Sequence, residues 1–237
     1  MKNIKKLHLL ALLSGANFTS AIFTLYMLAN AISLQQVLIS QIIYAVASFV
    51  GEIPSGMLSD KLGHKKTVLT GYGLLLVSPI MMILALTAFT LFIAQALNGL
   101  AGSALSGSEE ALYYDSYQAE GRPRQDFTKM FSRYSSLPVL GFIIASVVSG
   151  VFLQIAGSRS YIWIYVLNLL SSLATVIVAS KLTSTANQTE AAEENPITLL
   201  KTSWQTVRSS KILFSLAMFG LLSLNGEYFL RQTYQPF

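Results

Sequence analysis

Four stretches of this chain run without a single Asp, Glu, Lys or Arg: residues 7–51, 67–108, 134–158 and 160–180. No soluble core needs uncharged runs of that length. A bilayer does, because about 20 consecutive apolar residues are required to cross it as a helix. The first two runs, 45 and 42 residues long, each hold two crossings and a turn, and the next two hold one each. The charged fraction of 11%, against about a quarter in soluble domains, agrees. The fold class expected is an all-α polytopic membrane protein. Its spans are placed at residues 7–28, 37–58, 68–86, 91–108, 137–156, 161–180 and 212–230.

The distribution of charge orients these spans. With the N-terminus cytoplasmic, fourteen of the sixteen basic residues face the cytoplasm, and only Arg159 and Arg231 face outward. That is the positive-inside asymmetry of a cell-membrane protein. It accounts for the net charge of +5 without nucleic acid, for which no reading module is present. Lys2, Lys5 and Lys6 before an apolar stretch, with Ala29-Asn30-Ala31 beyond it, resemble a secretory signal. The stretch is longer than the roughly 7 to 15 residues of a signal core, so an uncleaved first helix is expected.

The composition also restricts the chemistry. With no cysteine and only His8 and His64, the chain has no thiolate metal site and no His-based one is expected. A membrane enzyme is the weakest class, since the chain lacks a paired-His motif, a nucleophile elbow and a phosphate-cradling Gly loop. No cofactor is expected beyond a coupling proton.

The connection between spans two and three reads Gly56-Met57-Leu58-Ser59-Asp60-Lys61-Leu62-Gly63-His64-Lys65-Lys66. It resembles the loop signature of the Major Facilitator Superfamily, G-x-L-A-D-R/K-x-G-R/K-R/K. Gly56, Leu58, Asp60, Lys61, Gly63, Lys65 and Lys66 match, Ser59 replaces the small Ala, and His64 departs from the run. Glu52-Ile53-Pro54-Ser55-Gly56 and Ser106-Gly107-Ser108-Glu109-Glu110-Ala111-Leu112-Tyr113-Tyr114-Asp115 are similar to bacterial drug-efflux-like members. In physical terms Gly56 suits close helix approach, Gly63 a turn at positive φ, and Lys65 and Lys66 hold the loop inside.

The resemblance implies a secondary transporter with alternating access, moving a small molecule by efflux between two six-helix halves built of inverted three-helix repeats. It implies that the Asp60 loop is a conformational latch whose partner at the end of the fourth helix is Glu110 or Asp115. The other reading of the loop is a well-anchored hairpin. Glu52, inside a span, is a candidate proton site, because an intramembrane carboxyl is costly and functional by default; the other reading is a solvated or Lys-paired interfacial group. Asn17, Tyr26, Gln41, Tyr44, Gln95 and Asn168 are candidates for a substrate pathway or for bonds between helices.

Two departures bear on coupling. Proton-driven drug antiporters of this kind carry an Arg four residues before a Gly in the fourth helix, where this chain has Gln95 before Gly99. The Gly-Pro signature of the fifth helix is not found; Pro138, Gly141, Ser146 and Gly150 stand there instead. Gly99, Gly102, Ser103 and Ser106 are read as small residues for helix packing.

Three segments are expected: a six-helix bundle over residues 1–182, a cytoplasmic linker over 183–211, and a seventh helix in 212–237 as the start of a second half. In the linker, Asn195 and Pro196 would start a short amphipathic helix bearing Ile197, Leu200, Trp204 and Val207. With nothing after Phe237 to supply further helices, the chain reads as a truncated transporter or fragment. The alternative is a non-transporting membrane protein, or a half that needs a partner. The partners expected are the bilayer, a small-molecule substrate and a C-terminal half.

Overall fold

The computed structural model describes residues 3–84 and 87–184, with Ser215 alone beyond them. The expected linker, amphipathic helix and seventh span, with Arg231, lie outside the described residues. Contacts place the described bundle in one unit, Met1–Asn187.

Every regular element among the described residues is helical: α1 Asn3–Gly15, α2 Phe23–Ala29, α3 Leu34–Leu62, α4 His64–Leu84, α5 Ala88–Leu105, α6 Ser108–Ala119, α7 Phe127–Ala156 and α8 Tyr161–Ser180, with 3-10 turns at Arg124–Asp126 and Gly157–Ser160. Five stretches, Leu34–Glu52, His64–Leu84, Ala88–Ala119, Arg124–Ala156 and Tyr161–Ser180, are long and apolar enough to cross a membrane. Large apolar side chains stand exposed along them, such as Ile42 at 63% and Ile155 at 80%. That is the surface of a protein solvated by lipid, and the chain is a polytopic membrane protein.

Local chemistry sets the ends. Ser33 and Gln36 form a reciprocal capping box at the start of α3, and Thr87 and Thr90 do the same for α5. α3 stops where Gly63 takes φ 85°, a conformation open to glycine. α7 begins well before the expected residue 137, because its first turns bury Phe127, Phe131 and Tyr134 against Tyr113 and Tyr117 of α6. The polar residues between those aromatics, Thr128, Lys129, Ser132 and Arg133, fall on the exposed face.

The first span departs from expectation. Residues 7–28 were expected as one helix, but α1 ends at Gly15 and α2 starts at Phe23. Asn17 accepts bonds from Thr19 N at 3.2 Å and Thr19 Oγ1 at 2.9 Å, a local turn that competes with the helical ladder. The freed backbone is satisfied by other helices. Phe18 N–H donates to Asn168 Oδ1 of α8 at 3.0 Å, and Ser149 Oγ of α7 donates to Phe18 O at 2.6 Å. Irregular backbone inside a membrane protein requires such internal partners.

The fourth span is also interrupted. Gly107 at φ 71° separates α5 from α6, so Ser108–Ala119 is a helix of its own.

Taking α1 with α2 as the first span, α3 and α4 as the second and third, α5 with α6 as the fourth, and α7 and α8 as the fifth and sixth, packing follows a rule. α3 lies on α5, α1 on α7, α4 on α5, α1 on α8, and α4 on α8. Exchanging first with fourth, second with fifth and third with sixth leaves that set unchanged, as expected of two repeated three-helix units. The equivalent crossings are both glycine-mediated. A Cβ on Gly15 would overlap the Pro138 carbonyl and one on Gly141 the Leu12 carbonyl, while a Cβ on Gly99 would lie 2.8 Å from Ser48 N.

Candidate functional site

The α3–α4 turn is where the signature residues gather, and it meets α6 through side chains that the motif does not emphasise. His64, the first residue of α4, places Nδ1 2.8 Å from Ser59 Oγ on α3 and Nε2 3.8 Å from Asp115 Oδ2 on α6. Ser108 Oγ at the start of α6 donates to Ser59 Oγ at 3.1 Å. One imidazole and two hydroxyls thus tie α3, α4 and α6 together.

The relay has a preferred direction. With Ser108 donating to Ser59, the Ser59 proton is free to reach His64 Nδ1, which leaves the proton of a neutral ring on Nε2, facing Asp115. The pair is partly exposed, each side chain at 28%. At that exposure a charged version is worth about 1 kcal/mol or less.

Asp60, Lys61 and Lys66 are exposed, Lys65 is half-buried, and no hydrogen bond or ion pair joins the Asp60 side chain to another described residue. Of the two acids proposed to meet the loop, Asp115 does so through His64, whereas Glu110 is exposed and unpaired among the described residues. Gly63 takes the positive φ its place in the turn calls for. Gly56 does not act as expected here: nothing lies within 4 Å of where its Cβ would be. The close approaches fall to Gly15, Gly51, Gly71, Gly99 and Gly141 instead.

Glu109 was not singled out by sequence. It sits in the first turn of α6, where the helix dipole favours an anion. Its carboxylate accepts from the Tyr72 hydroxyl of α4, in a short contact, and from the Tyr134 hydroxyl of α7 at 3.5 Å. The same end is tied further by Asn3, which donates to Ser116 Oγ at 2.6 Å, and by Glu120, which accepts from Ile4 N at 3.0 Å and pairs with Arg122 at 2.8 Å. The His8 ring is edge-on to Tyr113 and Tyr134. The only sequence signals for this joint were a polar cluster after Gly107 and a histidine where the motif calls for Arg or Lys.

The residues considered for a pathway are scattered. Tyr26 is buried, donates to Met82 O at 3.2 Å and packs on Tyr165 and Tyr161. Gln41 and Gln95 are buried; Gln95 accepts from Asn98, which also reaches Ser78. Tyr44 is half-buried with its hydroxyl beside Gly102. Asn168 holds the break in the first span, and Asn17 is exposed in that break. Glu52 is exposed on α3, and its carboxylate has no partner among the described residues. No group of acids or histidines able to hold a metal is found among the described residues.

The family model of the Major Facilitator Superfamily matches residues 7–235. No curated protein matches the chain. The chain therefore belongs to the Major Facilitator Superfamily, a family of membrane transporters rather than enzymes.

Proposed function

We propose that this superfamily member exports a small drug-like molecule across the cell membrane, with its N-terminus cytoplasmic, by a rocking motion in which the six spans move as one body. The observation that carries the reading is the joint between the α3–α4 turn and α6, where Ser59, His64, Ser108 and Asp115 hold the ends of three helices together. A body that rocks must not shear between its own repeats, and this joint links the second and third spans to the fourth.

In this reading Asp60, unpaired within the described unit, is the half of the latch that meets a group outside it. Lys61, Lys65 and Lys66 keep the turn in the cytoplasm. Glu52, unpaired on the exposed face of α3, is the carboxyl available to a coupling proton or a cationic substrate. Asn17, open in the break of the first span, is the pathway residue best placed to meet a substrate. The test is accumulation of a fluorescent cation in cells with and without the chain. Lower accumulation with the chain, lost in Asp60→Ala and made insensitive to the proton gradient in Glu52→Gln, is the expected result. Equal accumulation with and without the chain, also when a C-terminal half is co-expressed, would remove efflux from consideration.

A further inference from the structure

We propose that His64 is a proton-binding site of this chain and that its protonation tightens the contact between α4 and α6. The proposal rests on the latch reading above and assigns that latch a ligand, the proton.

The geometry carries it. Nδ1 of His64 is committed to Ser59 and Nε2 looks across 3.8 Å to Asp115. In the neutral ring, Ser59 donates to Nδ1, and the Nε2 proton meets Asp115 only as a dipole. In the imidazolium both nitrogens are donors. Ser59 then accepts from Nδ1 as well as from Ser108, and a full positive charge faces the Asp115 carboxylate. The gap of 3.8 Å is an ion-pair distance but long for a hydrogen bond, so charging the ring pulls α4 and α6 together.

The charged groups carried by the turn and by α6 are Asp60 and Lys61 on α3, Lys65 and Lys66 on α4, and Glu109, Glu110 and Asp115 on α6, and the tyrosines of α4 and α6 are Tyr72, Tyr113, Tyr114 and Tyr117. α5 and α8, which also pack on α4, carry no Asp, Glu, Lys, Arg or His. The sign follows from the charge: a protonated ring makes an ion pair with Asp115, and a neutral ring loses it. An Arg or Lys at this place in the motif would stay charged throughout. The departure at His64 makes the tie conditional.

The chain suits a direct test because it has no cysteine. Nitroxides on Leu62→Cys and Ala119→Cys, both exposed, report the distance between the turn and the end of α6 in the full chain reconstituted in nanodiscs. The distance is compared at about pH 8 and about pH 5.5, the range in which histidine side chains in general change charge. The shorter-distance population is expected to rise about two- to fivefold, the span of a partly exposed ion pair. The response should vanish in His64→Gln and in Asp115→Asn and persist in His8→Gln, with helix content by circular dichroism confirming that each variant is folded. A pH response that survives His64→Gln, or the lack of one in the parent chain, overturns the proposal. Because the readout needs no substrate, loss of transport with the response intact would count against the transporter reading alone.

Discussion

Gly15 and Gly56 are the same residue in opposite surroundings, and only one of them is in a motif. A Cβ at Gly15 would run into the Pro138 backbone, which cannot move without shifting α7. Gly15→Ala is therefore expected to cost about 1 to 3 kcal/mol or more, as overpacking does. At Gly56 nothing stands within 4 Å, and the helix propensity of Ala favours the change by up to about 1 kcal/mol. Unfolding of the two variants in detergent checks the order. If Gly56→Ala keeps its stability yet loses transport, the signature glycine serves a contact formed in another conformation. The signature was legible in sequence because its residues are contiguous. The site at Gly15 was not, because its partner lies more than a hundred residues away and no local pattern announces it. His64 was visible only as a mismatch, and its meaning came from Asp115 on another helix.

At the scale of elements, the spans were readable because a bilayer imposes length and polarity on every helix that crosses it, and the sixth span was placed at Tyr161–Ser180 as found. The interruption of the first span was hidden for the converse reason. Residues 16–22 are nearly as apolar as a helix needs, and what sustains the break is Asn168 and Ser149, brought in by the tertiary fold. Asn168→Leu would leave the Phe18 N–H without its partner. A loss of about 1 to 3 kcal/mol is expected, the cost of a buried donor left unsatisfied. Asn98→Leu is a fair control. Among the described residues Asn98 bonds the side chains of Gln95 on its own helix and of Ser78 on α4, and interhelical pairs such as the latter average about 0.6 kcal/mol in membranes. If thermal unfolding ranks the two equally, water or a local rearrangement holds the break and Asn168 is not its support.

For the whole molecule, the packing rule and the charges make one statement about sidedness. The hydrogen bonds from Asn3 to Ser116, Ser108 to Ser59 and Lys6 Nζ to Lys181 O bring the start of α1, the turn between α3 and α4, the end of the fourth span and the end of α8 to one end of the bundle. Lys5, Lys6, Lys61, Lys65, Lys66, Arg122, Arg124, Lys129, Arg133 and Lys181 all belong to that end. The opposite end, where Tyr26 meets Met82 and Tyr161, has the turns at residues 30–33 and Gly157–Ser160. An odd number of crossings cannot bring these ends into agreement, so six passes over the described residues and the charge bias test each other. Translocating the basic end would oppose the retention of Lys and Arg on the cytoplasmic side. The expected outcome in intact cells is that Gln35→Cys is modified by a membrane-impermeant maleimide, while Gln118→Cys reacts only after lysis. Both positions are exposed, so a failure to label reflects the membrane and not burial. Labelling of Gln118→Cys from outside would invert the molecule. The Asp60 turn, and with it the latch and its proton, would then face the wrong compartment for the function proposed.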